Sequence, residues 1–111
     1  MAGTNFISGI VKILENPKQT LINKTTTITE FRGEFPQAKN NQIVDLVFWG
    51  DLATSVLNYY NLSDYIIIEG YLSLQESDSL NSGASKSERV KITVLKVYPF
   101  LLSSQNFIGK E

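Results

Sequence analysis

The run of seven residues from Ile43 to Trp49 constrains the fold more than any other stretch of this sequence. Every position except one aspartate is β-branched, aliphatic or aromatic, and a glycine follows the run, so it predicts a central β-strand. Side chains alternate along a strand and therefore form two sets: Val44, Leu46 and Phe48 on one face, and Ile43, Asp45, Val47 and Trp49 on the other. The purely apolar set should face the core.

A short helix is predicted directly after this strand. Asp51 stands where an N-cap is expected, and Asn61 is suited to end the helix. Between them, apolar residues recur at helical spacing on one face: Leu52, Ala53, Val56, Leu57 and Tyr60. The strand and the helix thus form one unit joined by Gly50.

Four further strands are predicted, over Asn5–Leu14, Thr25–Phe35, Tyr65–Leu74 and Arg89–Tyr98. Alternation divides the third of these: Ile66, Ile68, Gly70, Leu72 and Leu74 should face inward, and Ile67, Glu69, Tyr71 and Ser73 outward. Residues 75–88 are rich in serine and predict a long, mobile connection. Removing several residues from 77–87 should therefore leave the melting temperature nearly unchanged.

The order of these elements indicates the fold class. A helix between the third and fourth of five strands is typical of the OB-fold, an all-β five-stranded barrel that binds oligonucleotides on one face and with its loops. A chain of 111 residues has room for one domain. We expect a single OB-fold domain over residues 1–111, with its core at about residues 5–100 and a short flexible tail.

The composition argues against catalysis. The sequence has no Cys and no His, which removes the commonest general base, transition-metal ligands and nucleophiles. Asp45, Glu69 and Asp78 match no metal motif in their spacing, so we expect neither a metal nor another cofactor. The 10 Lys and Arg residues are balanced by 11 acidic residues, so any contact with a polyanion must be local. No apolar run approaches the ~20 residues that span a bilayer, and we expect a soluble protein without a membrane partner.

Three stretches resemble the bacterial single-stranded DNA-binding (SSB) proteins. Asn5–Val11 resembles the opening strand of that family, Leu46–Ala53 its turn from an apolar strand through glycine into a helix, and Ile66–Leu72 its Glu-Gly strand. The small size and the high content of Asn, Ile and Lys resemble the divergent cyanobacterial and plastid branch, which includes a hypothetical chloroplast reading-frame family. The resemblance implies a non-enzymatic protein that binds single-stranded DNA with little sequence preference, with RNA left open as the ligand. It also implies a homo-oligomer, dimer or tetramer, located in the plastid stroma if the source is algal and otherwise in the bacterial cytoplasm.

The resemblance also suggests which aromatic residues contact the nucleic acid. In the family an aromatic residue precedes the glycine that ends this strand, and Trp49 occupies that position. A base stacked on Trp49 would gain ~1–3 kcal/mol. The sequence leaves open the alternative that Trp49 packs in the core. Tyr71 is a second candidate for stacking, and either Phe31 or Phe35 a third, with Phe35 preferred.

Phosphate contacts are expected from cations in or beside the two long loops: Arg32, Lys39, Lys86, Arg89 and Lys91. Ile43 stands where the family has an aromatic residue and Asp45 where it often has a basic one, so we expect weak binding. The sequence ends without the acidic tail by which the family recruits other proteins, so recruitment through such a tail is not expected. The alternative function is a protein-interaction module in a replication complex, with little or no affinity for nucleic acid.

Overall fold

The computed structural model describes residues 5–36, 41–76 and 88–103. They form six strands and one helix, in the order β1 (Phe6–Ile13), β2 (Lys18–Leu21), β3 (Thr27–Phe35), β4 (Gln42–Trp49), α1 (Asp51–Tyr59), β5 (Tyr65–Glu76) and β6 (Glu88–Leu101). Residues 1–4, 37–40, 77–87 and 104–111 lie outside this description. The predicted connection over residues 75–88 is wrong at its ends, because β5 extends to Glu76 and β6 begins at Glu88. The rest of that connection, the proposed deletion and the tail after residue 103 lie outside the described residues.

Five of the strands close into a barrel. Around the sheet the order is β1, β5, β6, β4, β3, and β1 returns to β3 through the pairing of Ile13 with Gly33. All neighbours are antiparallel except β4 and β6, which are parallel. The prediction of an all-β five-stranded OB-fold barrel with one helix is confirmed.

The sequence analysis missed β2, which pairs with β3 outside the barrel. Its four residues are all exposed and show no apolar alternation, so the hydrophobic pattern did not reveal it. The Asn23 side chain fixes the hairpin, because its Oδ1 accepts hydrogen bonds from the backbone N–H groups of Thr25 and Thr26 at 3.0 Å each. The helix still follows the strand that ends at Trp49, but that strand is β4, so the helix lies between β4 and β5 rather than between the third and fourth strands.

Two glycines allow the strands of the barrel to approach each other closely. A Cβ on Gly33 would lie 2.4 Å from Val11 Cγ1, at the seam where β1 meets β3. A Cβ on Gly70 would lie 2.1 Å from the backbone oxygen of Thr93, where the register of β5 against β6 shifts. Only glycine fits at such distances, so both residues are needed for closure.

The core agrees with the predicted alternation. Val44, Leu46 and Phe48 of β4 are buried, as are Ile66 and Ile68 of β5. Two residues differ. Leu74 was expected to face inward but is exposed, because β5 continues beyond the end of the core; Val47 belongs to the outward set but is buried, flanked across the sheet by Glu30 and Thr93.

The helix packs on the barrel through Ala53, Val56 and Tyr60, as its spacing predicted. Asp51 was expected to be the N-cap of the helix, and this prediction is wrong. It lies in the first turn, and Gly50 takes the cap position with φ of 64°, a left-handed conformation that glycine adopts without strain. The hydroxyl of Thr29 in β3 donates to the backbone oxygen of Ala53 at 2.8 Å and so ties the helix to the sheet.

A buried carboxylate connects the turn after α1 with the residues that follow β6. Asp64 Oδ1 accepts the backbone N–H and the hydroxyl of Ser103 at 2.7 and 2.8 Å, and Oδ2 accepts the N–H of Asn61 at 2.8 Å. These donors compensate for the burial of its charge. Burial, then the nearby charge of Asp64 and the neighbouring Tyr59, raise the pKa of Tyr60 above its usual value. Within the described residues, no helix is long and apolar enough to cross a membrane.

Candidate nucleic-acid interface

Trp49 lies on the outside of the barrel at the end of β4. Its side chain is 48% exposed, so of the two interpretations that the sequence left open, core packing is wrong. The backbone beneath it is fixed: Trp49 pairs with Ile28 of β3, and the N–H of Gly50 donates to the oxygen of Thr27 at 2.9 Å. A flat aromatic surface is thus held on a rigid strand and open to solvent.

Tyr71 is also on the outer surface, 48% exposed, as the alternation of β5 predicted. Its ring forms an edge-to-face pair with Phe6 of β1, with ring centroids 5.8 Å apart and an interplanar angle of 75°. Phe6 is 54% exposed and was not among the predicted site residues. Alternation along β1 places it outward, but its position beside Tyr71 depends on the pairing of β1 with β5, which the local sequence does not reveal.

The structure separates the two phenylalanines that were candidates for a third platform. Phe31 is 3% exposed and stacks on Phe48 in the core, so its ring offers almost no free surface for a base. Phe35 is half-buried at the edge of the core, beside Gly9 and Pro36. Part of its ring reaches the surface at the end of β3, away from Trp49 at the far end of the neighbouring strand β4.

Arg32 is exposed on β3, but it already has an anionic partner. Its Nε donates to Glu15 Oε2 at 2.8 Å, and its backbone N–H donates to Glu15 Oε1 at 3.0 Å. Partial burial alone would raise the pKa of Glu15, but the two hydrogen bonds and the charge of Arg32, with Lys18, outweigh it and lower the pKa below its usual value. A phosphate must therefore compete with this carboxylate for Arg32.

Cations and carboxylates alternate across the outer surface of β2, β3, β4 and β6. Arg32 is opposite Asp45, and Asp45 is opposite Lys91. In the adjacent row Lys18 is opposite Glu30. A groove runs over these residues and is lined by Glu15, Lys18, Thr20, Glu30, Phe31, Arg32, Asp45 and Lys91.

This groove carries three cations and three carboxylates, so it has little net charge. Lys91 lines the groove, and its contact with a phosphate stays a prediction. Lys18 is a cation that the sequence analysis missed because it lies on the unpredicted strand β2. Lys39 and Lys86 lie outside the described residues, and nothing is described of the Arg89 side chain. Among the described residues, no three Asp or Glu side chains are grouped so as to hold a metal ion.

The arrangement suits stacking more than charge attraction. Two aromatic sites, Trp49 and the Phe6–Tyr71 pair, lie on the outer surface of the barrel. The groove lies on the same surface, and in it each cation is opposite or beside a carboxylate. Base stacking does not depend on net charge and is tolerant of sequence. Phosphate contacts from such a groove add little long-range attraction.

Comparison with known proteins finds a relative by sequence and several solved structures with a similar fold. No family model matches the chain. The "Putative single-stranded DNA-binding protein ycf41" of Trieres chinensis is 36% identical over 104 residues, covering 90% of this chain and 92% of that protein.

Solved structures of other proteins superpose on this chain over a similar length. The small single-stranded DNA-binding protein of Streptomyces coelicolor superposes with a TM-score of 0.75 at 13% identity, covering 90% of this chain and 97% of that one. The SSB domain of a Synechococcus protein gives a TM-score of 0.69 at 22% identity, covering 88% and 98%. At these identities the likeness establishes the barrel fold.

Proposed function

The chain belongs to the family of single-stranded DNA-binding proteins. We therefore propose that it binds single-stranded DNA with little sequence preference and catalyses no reaction. The observation that carries this proposal is the half-exposed Trp49, held by the rigid end of β4. A tryptophan fixed on a sheet loses little conformational freedom when a base stacks on it. Each such stack contributes ~1–3 kcal/mol, whichever base is present.

Backbone contacts are proposed to come from the cations of the groove. Lys91 and Arg32 lie on the same outer surface as Trp49, and Lys18 extends this set. Arg32 must exchange the Glu15 carboxylate for a phosphate, and Lys91 and Lys18 lie opposite carboxylates whose charge repels a phosphate. Both effects reduce the gain from these contacts. We therefore expect modest affinity that arises mainly from stacking. Tyr71 is the second proposed stacking residue, and Phe35 remains a candidate near the loop that follows β3.

Intrinsic fluorescence tests the proposal directly, because Trp49 is the only tryptophan. Titration with oligo-dT at low salt should quench the emission saturably, since the base covers the indole ring. A parallel titration with oligo-U compares DNA with RNA. Failure to bind oligonucleotide at millimolar concentration would overturn the proposal and favour the protein-interaction module instead.

Substitution of Trp49 shows whether stacking supplies the affinity. With a fluorescein-labelled oligo-dT, anisotropy should report binding weakened by ~1–3 kcal/mol in Trp49→Ala. Leu62→Ala is the matched control, because Leu62 is exposed to a similar degree but lies in the turn between α1 and β5. Equal losses in both variants would show that Trp49 has no special role.

Self-association is proposed to use one part of the outer surface of β1, β5 and β6, four residues along β1 and β5 from Phe6 and Tyr71. Ile10, Ile67 and Tyr98 lie opposite one another across these three strands, and Ile10 and Tyr98 are exposed. An apolar row of this kind on a sheet surface is suited to pack against a second copy. Sedimentation velocity should find a dimer or tetramer that Ile10→Lys dissociates. A monomer at all concentrations would contradict this part.

The plastid stroma is the proposed location. The relative carries a ycf41 name, and that designation belongs to the hypothetical chloroplast reading frames. Immunoblotting of isolated plastids, with the stroma separated from the membranes, would test this.

A further inference from the structure

We propose that Phe6 and Tyr71 together form a second base-binding site, so that a bound strand crosses from Trp49 on β4 over β6 to β5 and β1. This inference rests on the proposed function and extends it to a site on different strands. The two rings are each about half exposed and meet edge to face at 5.8 Å. Two rings at a steep angle form an open corner, in which a base can stack on one ring while its edge meets the other.

The pair lies on the same surface as the groove. Tyr71 is opposite Thr93 of β6, and Thr93 is opposite Val47 of β4, two residues before Trp49. Strand spacings of ~4.8 Å and a rise of ~3.3 Å per residue place Trp49 and Tyr71 about 12 Å apart along the surface. Stacked rings lie within about 7 Å of each other, so the two sites must receive different bases.

The backbone under the pair is as firmly fixed as that under Trp49. Phe6 is directly opposite Tyr71, and the N–H of Leu72 donates to the oxygen of Asn5 at 2.8 Å. Immediately before Tyr71, Gly70 is in close contact with the backbone of Thr93. The corner between the two rings is therefore preorganised, and little conformational entropy is lost when a base binds there.

A cation accompanies the pair. Lys91 is opposite Ser73, and Ser73 and Tyr71 are two residues apart on β5, so Lys91 is a diagonal neighbour of the tyrosine at ~7–8 Å. Lys91 and Trp49 lie on opposite sides of the row formed by Val47, Thr93 and Tyr71. Lys91 is therefore suited to contact a phosphate on the side of Tyr71 that faces away from Trp49.

The test uses oligo-dT of increasing length, from about 4 to 16 nucleotides, and two readouts: affinity by anisotropy and quenching of Trp49. Tyr71→Leu and Phe6→Leu keep an apolar side chain but remove the ring. We expect both to weaken the binding of long oligonucleotides, Tyr71→Leu by about fivefold to a hundredfold, while quenching of Trp49 at saturation stays unchanged. The double variant should lose about as much as Tyr71→Leu alone, because both rings serve one base.

Two variants serve as controls. Tyr71→Phe keeps the ring and should retain the affinity of the original protein. Tyr59→Leu removes an exposed ring from the end of α1 and should change neither readout. Thermal melts of all variants check folding, which should be preserved because these side chains are substantially exposed.

The outcomes separate the two proposals. If no oligonucleotide binds the original protein, the proposed function itself is overturned. If oligo-dT binds and quenches Trp49 but Phe6→Leu and Tyr71→Leu bind every length equally well, this second site is overturned alone. If these variants change the sedimentation coefficient of the protein but not its affinity for oligo-dT, the second site is also overturned. The Phe6–Tyr71 pair would then belong to a contact between copies of the chain.

Discussion

The inward and outward surfaces of β4 are both rich in apolar side chains, yet they differ sharply in burial. Leu46 and Phe48 are 0% exposed, whereas Ile43 and Trp49, on the opposite surface, are 47% and 48% exposed. Closure of the barrel buries the inward side chains of β4. No described residue covers Ile43 and Trp49, at the two ends of the outward surface. Apolar residues on the inside are needed for folding, and those on the outside are available to a ligand.

Adjacent aromatic residues give the strongest test of this difference. Phe48→Ala should lower the free energy of unfolding by about 3–5 kcal/mol, because it leaves a cavity in the core. Trp49→Ala should cost only about 1–2 kcal/mol, because its side chain is already half in water and no cavity forms. Urea denaturation measures both values. A cost for Trp49→Ala as large as for Phe48→Ala would show that the tryptophan is part of the core.

Glycine substitutions test how tightly the inner surface is packed. Gly70→Ala should destabilise the barrel by about 2–3 kcal/mol, because its Cβ would meet the backbone of Thr93, which cannot move without separating β5 from β6. Gly9→Ala is the matched control. Its Cβ would lie 2.9 Å from one atom of the Phe35 ring, a side chain that can rotate away, so a smaller loss is expected. Similar melting temperatures for the two variants would contradict this account of closure.

The inner surface could be predicted from the sequence because its signals are local. The alternation of β4, the apolar spacing of α1 and the alternation of β5 as far as Leu72 all describe neighbouring residues. The strand β2 could not be predicted, since its four residues are exposed and its pairing with β3 is not visible in a local hydrophobic pattern. The sequence left the choice between Phe31 and Phe35 open for a related reason: Gly33 lies between them, at the contact of β3 with β1, which the local sequence does not reveal.

The outer surface could be predicted only in part, because its arrangement depends on pairs of strands distant in the chain. Alternation placed Tyr71 outside, but the contact with Phe6 requires the register of β1 against β5. Arg32 was predicted as a phosphate contact from its charge and its position beside a predicted long loop. That Glu15 would pair with it follows from the meeting of the end of β1 with β3, a contact 17 residues apart in sequence.

The mixed charge of the groove predicts a weak dependence of binding on salt. The slope of log K against log salt should be about −1.5 to −3 for oligo-dT, with roughly −0.7 for each phosphate contact. Glu30→Gln removes a carboxylate from the groove and should tighten binding about twofold at low salt. That gain should disappear near 1 M salt, where the Debye length is about 3 Å. A slope steeper than about −5 would indicate a basic surface beyond this groove.

The smallest effect is expected at the Glu15–Arg32 pair, where the charge and the hydrogen bond can be separated. In Glu15→Gln the amide oxygen can still accept the backbone N–H of Arg32, so the variant removes mainly the charge. Both side chains are well exposed, and we expect the variant to lose less than about 1 kcal/mol of unfolding free energy at pH 7. The folded-state pKa of Glu15 is lowered, so the contribution of its charge is fully present above the unfolded-state pKa and is lost as the pH falls through the folded-state value. Urea denaturation of both proteins at pH 7 and at a series of lower pH values should therefore show a small difference that closes below the folded-state pKa of Glu15. A difference that persists there would mean that the shape of the side chain, and not its charge, stabilises this end of β1.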